Sequence, residues 1–384
     1  MKLRITNYEL RNARMFFIVH CSLFILAGCG GVRVQRPFVS LPFVDERENA
    51  LQFPLEKIFE TTTVAAVPKD AGVFADSLLV IGTFNGEVRF YNVLTGKSFG
   101  YFDAGSSVGN APLVDSNRIF IPLLKDKYSF VAYDVQQKSI DWKVAIGDVE
   151  TKPLLLGKYI LVVNNEGTLF SFNKRNGIMF WKYISSTAKK GVRAHSSPVT
   201  DGVNIYFGND EGTLFCINGS NGELVWKNHF NGNIFSTPAL DNDNIYITTN
   251  IGECYAMKKN SGTLQWKYNV SSSLYSSATV NAKQIFLATT SGNVISLDKE
   301  SGKEIWKQKF DDVININPHL RKNILYIGTL GKTLYALDVT TGDILWSEQL
   351  SGRIKSNLLS WDNYLVAFIE DRTILVFKGK EGGN

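Results

Sequence analysis

The sequence is poor in cysteine and histidine, with four of each among its 384 residues. Cys216 and Cys254 both fall in apolar strand-like segments, and no spacing typical of a metal site includes them. We therefore favour small buried side chains over a disulfide for this pair. His195, His229 and His319 are scattered, without the spacing of a zinc site or of a Ser-His-Asp arrangement, which favours chance surface histidines.

The sequence also lacks a membrane-spanning run and a strong excess of charge. The apolar run from Met15 to Ala27 is shorter than the ~20 residues that a spanning helix needs. The formal net charge is +5, and residues 1–28 account for +3 of it, with four basic residues and one acidic residue. The remaining +2 gives no electrostatic case for nucleic-acid binding.

The N-terminal segment has the features of a targeting sequence. The basic residues precede the apolar run, and the tetrapeptide LAGC at residues 26–29 closes it. This ending resembles the lipobox of bacterial lipoproteins. The resemblance implies that residues 1–28 are a signal peptide and that acyl chains on Cys29 anchor the protein to a membrane. An ordinary signal peptide with a chance cysteine is the alternative.

The residues after the lipobox indicate to which membrane the protein is attached. Gly30 follows Cys29, at the place where the inner-membrane retention signal of enterobacterial lipoproteins has aspartate. The resemblance therefore implies attachment to the outer membrane, facing the periplasm. Residues 29–51 contain prolines and charges with little periodicity, and we predict that they form a lipidated tether.

The rest of the chain, residues 52–380, is built from a repeat of about 40 residues. Each repeat has an apolar strand, a polar turn ending in glycine, a second strand, a second turn and a strand that carries tryptophan. The repeated tryptophans are separated by 39, 45, 40, 40 and 40 residues; they are Trp142, Trp181, Trp226, Trp266, Trp306 and Trp346. Apolar residues alternate by two, which excludes a helical solenoid and predicts an all-β propeller of four-stranded blades.

The count of repeats predicts eight blades. Seven repeats are complete, although Tyr101 only lies near the tryptophan place of the first and Lys138 replaces the turn glycine of the second. An eighth repeat, Tyr364 to Lys378, ends after two strands. The segment Phe53 to Phe59 has no partner of its own, and pairing it with the last repeat would close the ring. Short segments such as Ser196 to Thr200 are predicted to be the innermost strands, lining a central channel.

One repeat carries a motif of a known family. Ala336 to Trp346 reads ALDVTTGDILW and resembles the tryptophan-docking motif of quinoprotein propellers, the dehydrogenases that bind pyrroloquinoline quinone (PQQ). The resemblance implies an eight-bladed propeller in which each repeated tryptophan sits between two blades and locks them together. We therefore expect the six tryptophans to be structural blade-docking residues rather than ligand contacts.

The same resemblance leaves two classes of protein. The dehydrogenases hold Ca²⁺ with carboxylate and amide oxygens beside the quinone, use a catalytic Asp and often have a vicinal Cys-Cys disulfide. This chain has no Cys-Cys pair, and its repeats are close to minimal length. We therefore favour a protein without catalytic residues, cofactor or metal. A PQQ- and calcium-dependent dehydrogenase is the alternative.

The second class comprises the outer-membrane assembly lipoproteins of the BamB family, which this chain resembles in its lipobox, its tether and its eight minimal blades. The resemblance implies a non-catalytic scaffold of the β-barrel assembly machinery. The implied partners are the periplasmic domains of the central barrel-assembly protein, other assembly lipoproteins and unfolded outer-membrane clients, with the membrane reached through the lipid. A scaffold for another envelope complex is a further alternative.

The longest repeat spacing points to a partner-binding loop. In the BamB family, partner contacts come from loops between blades, one with a Leu-Arg pair shortly before a Ser-x-Pro strand start. Val192-Arg193 is similar and lies within the insertion from Ser185 to Ser197. An arginine could pair with a partner carboxylate, with Val192 adding an apolar contact; a solvated basic loop is the alternative. In the next such loop, Asn233 and Phe235 stand where the resemblance implies an acidic pair.

Overall fold

The computed structural model describes residues 51–186 and 192–380, and within these residues all regular secondary structure is β-strand. No helix in the described ranges is long and apolar enough to cross a membrane. The strands of these ranges form eight antiparallel sheets of four strands each, and every sheet is one blade of a propeller. The predicted fold class and blade number are confirmed.

The first strand along the chain, β1, spans Gln52–Thr62 and belongs to the last blade. Blade 1 contains β2 (Gly72–Ala75), β3 (Leu78–Gly82), β4 (Glu87–Asn92) and β5 (Ser98–Asp103). Blade 2 contains β6 (Leu113–Asp115), β7 (Arg118–Pro122), β8 (Phe130–Asp134) and β9 (Ser139–Val144). Blade 3 contains β10 (Leu154–Leu156), β11 (Tyr159–Val163), β12 (Thr168–Asn173) and β13 (Met179–Ile184). Blade 4 contains β14 (Val199–Thr200), β15 (Asn204–Gly208), β16 (Thr213–Asn218) and β17 (Leu224–His229).

The second half of the ring repeats this order. Blade 5 contains β18 (Ala239–Leu240), β19 (Asn244–Thr248), β20 (Glu253–Lys258) and β21 (Leu264–Asn269). Blade 6 contains β22 (Thr279–Val280), β23 (Gln284–Ala288), β24 (Asn293–Asp298) and β25 (Glu304–Lys309). Blade 7 contains β26 (His319–Arg321), β27 (Ile324–Gly328), β28 (Thr333–Asp338) and β29 (Ile344–Gln349). Blade 8 contains β30 (Leu359–Trp361), β31 (Tyr364–Ile369), β32 (Thr373–Lys380) and β1.

The four strands of a blade run from the centre of the ring to its rim. The first strand has two to four residues, and the first strands of several adjacent blades contact one another, so they line the central channel as predicted. The two middle strands are almost wholly buried, because a neighbouring blade covers each face of the sheet. The fourth strand is an edge strand whose residues are mostly exposed or half-buried.

The ring closes by pairing the two ends of the folded chain. Strand β1 runs antiparallel to β32, with Phe59 opposite Val376 and Thr62 opposite Thr373. The predicted closure is confirmed. The pairing covers the outer edge of β32, and the N-terminal strand β1 becomes the fourth strand of the last sheet.

The hydrophobic core is divided among the junctions between blades. One cluster joins Tyr206 and Cys216 of blade 4 to Ile245 and Ile247 of blade 5, and the other clusters are built in the same way. Cys216 and Cys254 are both buried free thiols, which confirms the interpretation made from the sequence. Both faces of the middle strands are therefore buried, because a core cluster lies on each side of the sheet.

Five of the six repeated tryptophans contact the following blade at the glycine of its second turn; they are Trp142, Trp181, Trp226, Trp266 and Trp306. A Cβ added to Gly302 would lie 2.5 Å from the ring of Trp266, so only glycine fits beside that ring. The Trp266 indole N–H also donates to the Lys299 carbonyl at 3.0 Å. Because Gly302 has φ +68°, the turn itself also favours glycine. The indole of Trp266 thus both packs against the adjacent blade and donates a hydrogen bond to it.

Two blades depart from this pattern. In blade 1, Gly100 occupies the strand position of the tryptophan, opposite Phe90, and Tyr101 is the next residue along the strand. In blade 8, Phe59 occupies that position and packs against the turn glycine Gly96, whose added Cβ would lie 2.7 Å from the ring. The repeat phrase does not include Phe59, so sequence reasoning missed it.

Candidate partner-binding face at the channel mouth

The eight segments that precede the innermost strands meet at one end of the channel. They enclose a cavity of about 660 Å³, which we call the channel mouth. Every blade contributes to its wall through Asp70, Asn110, Glu150, Ser197, Phe235, Tyr275, Asn317 and Asn357. The sequence marks these positions only by their spacing of about 40 residues, because the side chains differ from blade to blade.

Polar side chains at the mouth connect successive blades by hydrogen bonds. The Thr237 N–H donates to Ser277 Oγ at 3.0 Å, and the Ser277 N–H donates to Asn317 Oδ1 at 2.8 Å. The Asn317 N–H in turn donates to Asn357 Oδ1 at 2.8 Å, and Asn357 Nδ2 donates to Asp70 Oδ1 at 2.6 Å. The backbone N–H groups of Thr237, Ser277 and Asn317 precede very short strands. Side chains of the next blade therefore accept the hydrogen bonds that a longer strand pairing would provide.

A lysine extends across the mouth. Lys69 of blade 1 donates from Nζ to the Tyr275 carbonyl of blade 6 at 2.9 Å. Its side chain is accessible to water inside the cavity while protein surrounds it. The loss of bulk hydration lowers the pKa of the Lys69 ammonium, and the adjacent Asp70 opposes that effect.

Aromatic rings form one wall of the mouth. The rings of Phe235 and Tyr275 stack with centroids 5.9 Å apart, and the His195 ring meets Phe235 edge-on at 5.6 Å. Asn233 is hydrogen-bonded within the protein. Its side-chain Nδ2 donates to the Asp210 carbonyl, and its backbone N–H donates to Asn250 Oδ1. The loop from residue 231 to 238 therefore supplies an aromatic and amide surface in place of an acidic pair.

His195 joins two carboxylates at the mouth. Its Nδ1 lies 2.8 Å from Asp210 Oδ2 and its Nε2 lies 3.4 Å from Glu150 Oε2. Hydrogen bonding to Asp210, and then to Glu150, raises the pKa of His195 to about 9, so the ring is protonated at neutral pH. The same contact with His195 is the largest cause of a lowered pKa of Glu150.

The interpretation of the histidines as chance surface residues is therefore wrong for two of them. His195 lines the channel mouth, and Glu150 and Asp210 lie 45 and 15 residues away in sequence, so no local spacing could reveal the cluster. His319 lies in an innermost strand, where burial lowers its pKa to about 4 and its Nε2 lies 2.8 Å from Ser360 Oγ. Of the three histidines within the described residues, His229 is the one at an exposed position.

The predicted partner loop lies beside the mouth. Arg193 is exposed, and its charge contributes to the lowered pKa of Glu150. The Arg193 carbonyl accepts a hydrogen bond from the Asp210 N–H at 2.9 Å. Val192, in contrast, is only 6% exposed, so its side chain packs inside the protein and is not available for an apolar contact with a partner. Residues 187–191 of the insertion, like Cys29, lie outside the described residues.

The carboxylates of the mouth do not fit a calcium and quinone site. Calcium needs several converging oxygen ligands. Asp70 accepts a hydrogen bond from Asn357, and Glu150 contacts His195. In the described part of the chain, no group of three or more His, Cys, Asp or Glu side chains could hold a metal ion. The arrangement offers charged and aromatic groups for binding.

Comparison with protein families identifies a family that matches most of the chain. The family model described as outer membrane protein assembly factor BamB matches residues 61–183, 184–312 and 269–382. No curated protein matches the sequence.

Solved structures share the fold at low sequence identity. BamB from Moraxella catarrhalis is 18% identical with a TM-score of 0.72, covering 85% of this chain and 100% of that chain. Quinohemoprotein alcohol dehydrogenase from Comamonas testosteroni is 10% identical with a TM-score of 0.72, covering 86% and 77%. The computationally designed Ika8 protein is 15% identical with a TM-score of 0.72, covering 83% and 98%. BamB, an alcohol dehydrogenase and a designed protein share this architecture, so these likenesses show the fold alone.

Proposed function

The chain belongs to the family of outer membrane protein assembly factor BamB, and we propose that it is a non-catalytic scaffold lipoprotein of the β-barrel assembly machinery. In this role it binds the periplasmic domains of the central barrel-assembly protein and assists the insertion of outer-membrane proteins. The observation that carries the proposal is the family match, which extends over almost the whole ring from residue 61 to residue 382.

The proposed location follows from the N-terminal segment. Acyl chains on Cys29 would hold the protein at the outer membrane, facing the periplasm, because several chains give stable anchoring. The tether to Leu51 would then leave the propeller free to meet its partners beside the membrane. Labelling with a radioactive fatty acid, with Cys29→Ser as control, tests this part: the label should be lost in the variant, and label retained by the variant would contradict it.

Arg193 is the residue that we propose for partner contact. Its guanidinium is exposed beside the mouth, and the five donors of an arginine suit a carboxylate or a row of backbone carbonyls. Residues 192 and 193 are held in place from within, since Val192 is buried and the Arg193 carbonyl is hydrogen-bonded to Asp210. A preordered backbone at Arg193 loses little conformational entropy on binding. This supports Arg193, rather than the pair of residues, as the contact.

Co-purification tests the assembly role. The tagged full chain, extracted from membranes, should bring down the barrel-assembly protein, and Arg193→Glu should abolish that capture while the protein remains folded. Lys227→Glu, which reverses an exposed charge on β17 at the rim, is the matched control and should capture normally. Capture of unrelated proteins alone would contradict the assembly role. Equal capture by both variants would exclude Arg193 as the contact.

A dehydrogenase assay tests the competing enzyme class. In that class, calcium is held by carboxylate and amide oxygens beside the quinone. After addition of PQQ and Ca²⁺, we expect neither a quinone absorption band from the protein nor dye-linked oxidation of alcohols or sugars. Appearance of both would contradict the proposal.

A further inference from the structure

The rim of blade 3 differs from the rims of the other blades at one repeated position. The residue after the turn glycine is polar in the blades that follow, where it is Glu223, Thr263, Lys303 and Asp343. In blade 3 it is Ile178, whose side chain is 62% exposed, followed by Met179 at 48% and Phe180 at 43%. We call Ile178, Met179 and Phe180 the blade-3 rim patch. It places three exposed apolar side chains in a row where the repeat places at most two.

The patch is held in its exposed position. Gly177 forms a tight turn against the ring of Trp142, and a Cβ there would lie 2.7 Å from that ring. The Ile178 N–H donates to Asn176 Oδ1 at 3.1 Å. Phe180 packs edge-on against Tyr159 with centroids 4.9 Å apart. With the turn and Phe180 both fixed, the apolar side chains cannot withdraw into the core without breaking these contacts.

Cations surround the patch. Lys158 lies with Nζ 5.2 Å from the Phe180 ring centroid, and Arg175 and Lys182 are exposed on the same hairpin. Within residues 51–186 and 192–380, none of these three forms an ion pair, whereas the neighbouring Lys174 is paired with Asp115 at 2.6 Å. The blade-3 rim patch therefore combines exposed apolar side chains with nearby positive charges that no ion pair within the described residues neutralises.

We propose that the blade-3 rim patch docks on an anionic lipid surface. Ile178, Met179 and Phe180 enter the boundary between headgroups and acyl chains, and the cations contact lipid phosphates. A protein partner fits less well, because lysine is depleted at the centres of protein interfaces. The inference rests on the proposed function in one respect: a lipid on Cys29 keeps the membrane close enough for a weak surface contact to persist.

The position of the patch gives the contact a consequence for orientation. The hairpin that carries Ile178 joins β12 to β13 at the end of blade 3 opposite to the channel mouth, since Thr168 and Ile184 pair at the mouth end. Docking through this hairpin turns the mouth and Arg193 away from the membrane. The lipid surface then orients the face that we propose for partner binding.

Vesicle binding tests the patch apart from the lipid anchor. Both strands that close the ring, β1 and β32, lie after residue 51, so a chain that begins at residue 30 retains every strand of the described ranges and lacks Cys29. This chain should bind vesicles of phosphatidylcholine with added phosphatidylglycerol and should not bind phosphatidylcholine alone. Replacing both Ile178 and Phe180 by Ser should lower the partition coefficient by about tenfold or more.

Matched variants decide between the possible outcomes. Replacing Leu224 and Val225 of blade 4 by Ser, at the same rim, should leave vesicle binding unchanged. An equal loss in both variants, or no binding by the parent chain, would overturn the proposal. So would normal vesicle binding by the blade-3 variant together with loss of partner capture in the lipidated full chain, which would make the patch a protein interface. Failure of acylation at Cys29 leaves this assay unaffected, so the two proposals fail separately.

Discussion

Two junctions between neighbouring blades are packed by different residues. One joins blades 5 and 6, and the other joins blades 1 and 2. In the first, Trp266 packs against the turn glycine Gly302. In the second, both members of that pair are absent: Gly100 stands at the tryptophan position, and Lys138 stands at the glycine position with φ +55°.

The difference shows that the tryptophan and the turn glycine depend on each other. Glycine is required only where a ring fills the space that a Cβ would take. Where the ring is missing, a lysine fits, and another contact fills the junction: Phe102 and Tyr133 stack with centroids 3.7 Å apart. Each of these turn glycines therefore accompanies an aromatic ring of the preceding blade, and between blades 1 and 2 the ring and the glycine are absent together.

Removing the ring should have the largest effect on stability. Trp266→Ala is expected to lower the free energy of unfolding by about 3 kcal/mol, because a half-buried ring and its hydrogen bond to the Lys299 carbonyl are lost. Urea unfolding at equilibrium measures it. Tyr101→Ala, at the exposed neighbouring position of blade 1, is the control and should cost far less. Similar losses in the two variants would contradict the lock.

Adding a side chain at Gly302 should lower the free energy of unfolding by a smaller amount, and this loss should depend on the ring of Trp266. Gly302→Ala places a Cβ 2.5 Å from Trp266 at φ +68°, and we expect a loss of about 2 kcal/mol. In a Trp266→Ala background the steric part disappears, leaving about 1 kcal/mol. Unfolding of the double variant measures the coupling, and strictly additive losses would show that the two residues are independent.

The junction between blades 3 and 4 should respond to pH, in contrast to the junctions locked by aromatic rings. His195 has a raised pKa of about 9, so its stabilisation is fully present below its unfolded pKa of 6.5 and is lost as pH rises through 9. Because the side chain is about one-third exposed, screening reduces the effect to about 1 kcal/mol. The stability difference between the parent and His195→Gln should shrink between pH 6.5 and 9; a constant difference would contradict this.

The smallest effect is expected where the pair is missing. Lys138→Gly should raise the free energy of unfolding by about 0.5 kcal/mol, because glycine relieves the left-handed conformation but gains entropy in the unfolded chain. Lys97→Gly, beside the turn glycine of blade 1, is the control and should not stabilise. Destabilisation by Lys138→Gly would mean that the lysine side chain supports this junction.

The repeats of the sequence were sufficient to predict the blades and the closure of the ring, because each repeat carries its own strand and turn signals. The role of Phe59 was not predicted, because this residue lies outside the repeat phrase. Its pairing with Val376 shows that it takes the tryptophan position of blade 8. Of the predicted partner pair, Arg193 is exposed as expected, while Val192 is buried. Local sequence could not show this, since the burial of Val192 depends on neighbouring turns.

The sequence by itself determined the architecture of this protein, since alternating apolar residues and turn glycines at a 40-residue period allow only closely packed, four-stranded blades. The tertiary structure decided which residues meet at the channel mouth. His195, Glu150 and Asp210 are brought together by the curvature of the ring, although they are separated along the chain. Contacts between the strands of one blade follow from local periodicity, whereas contacts between blades depend on how neighbouring blades are placed.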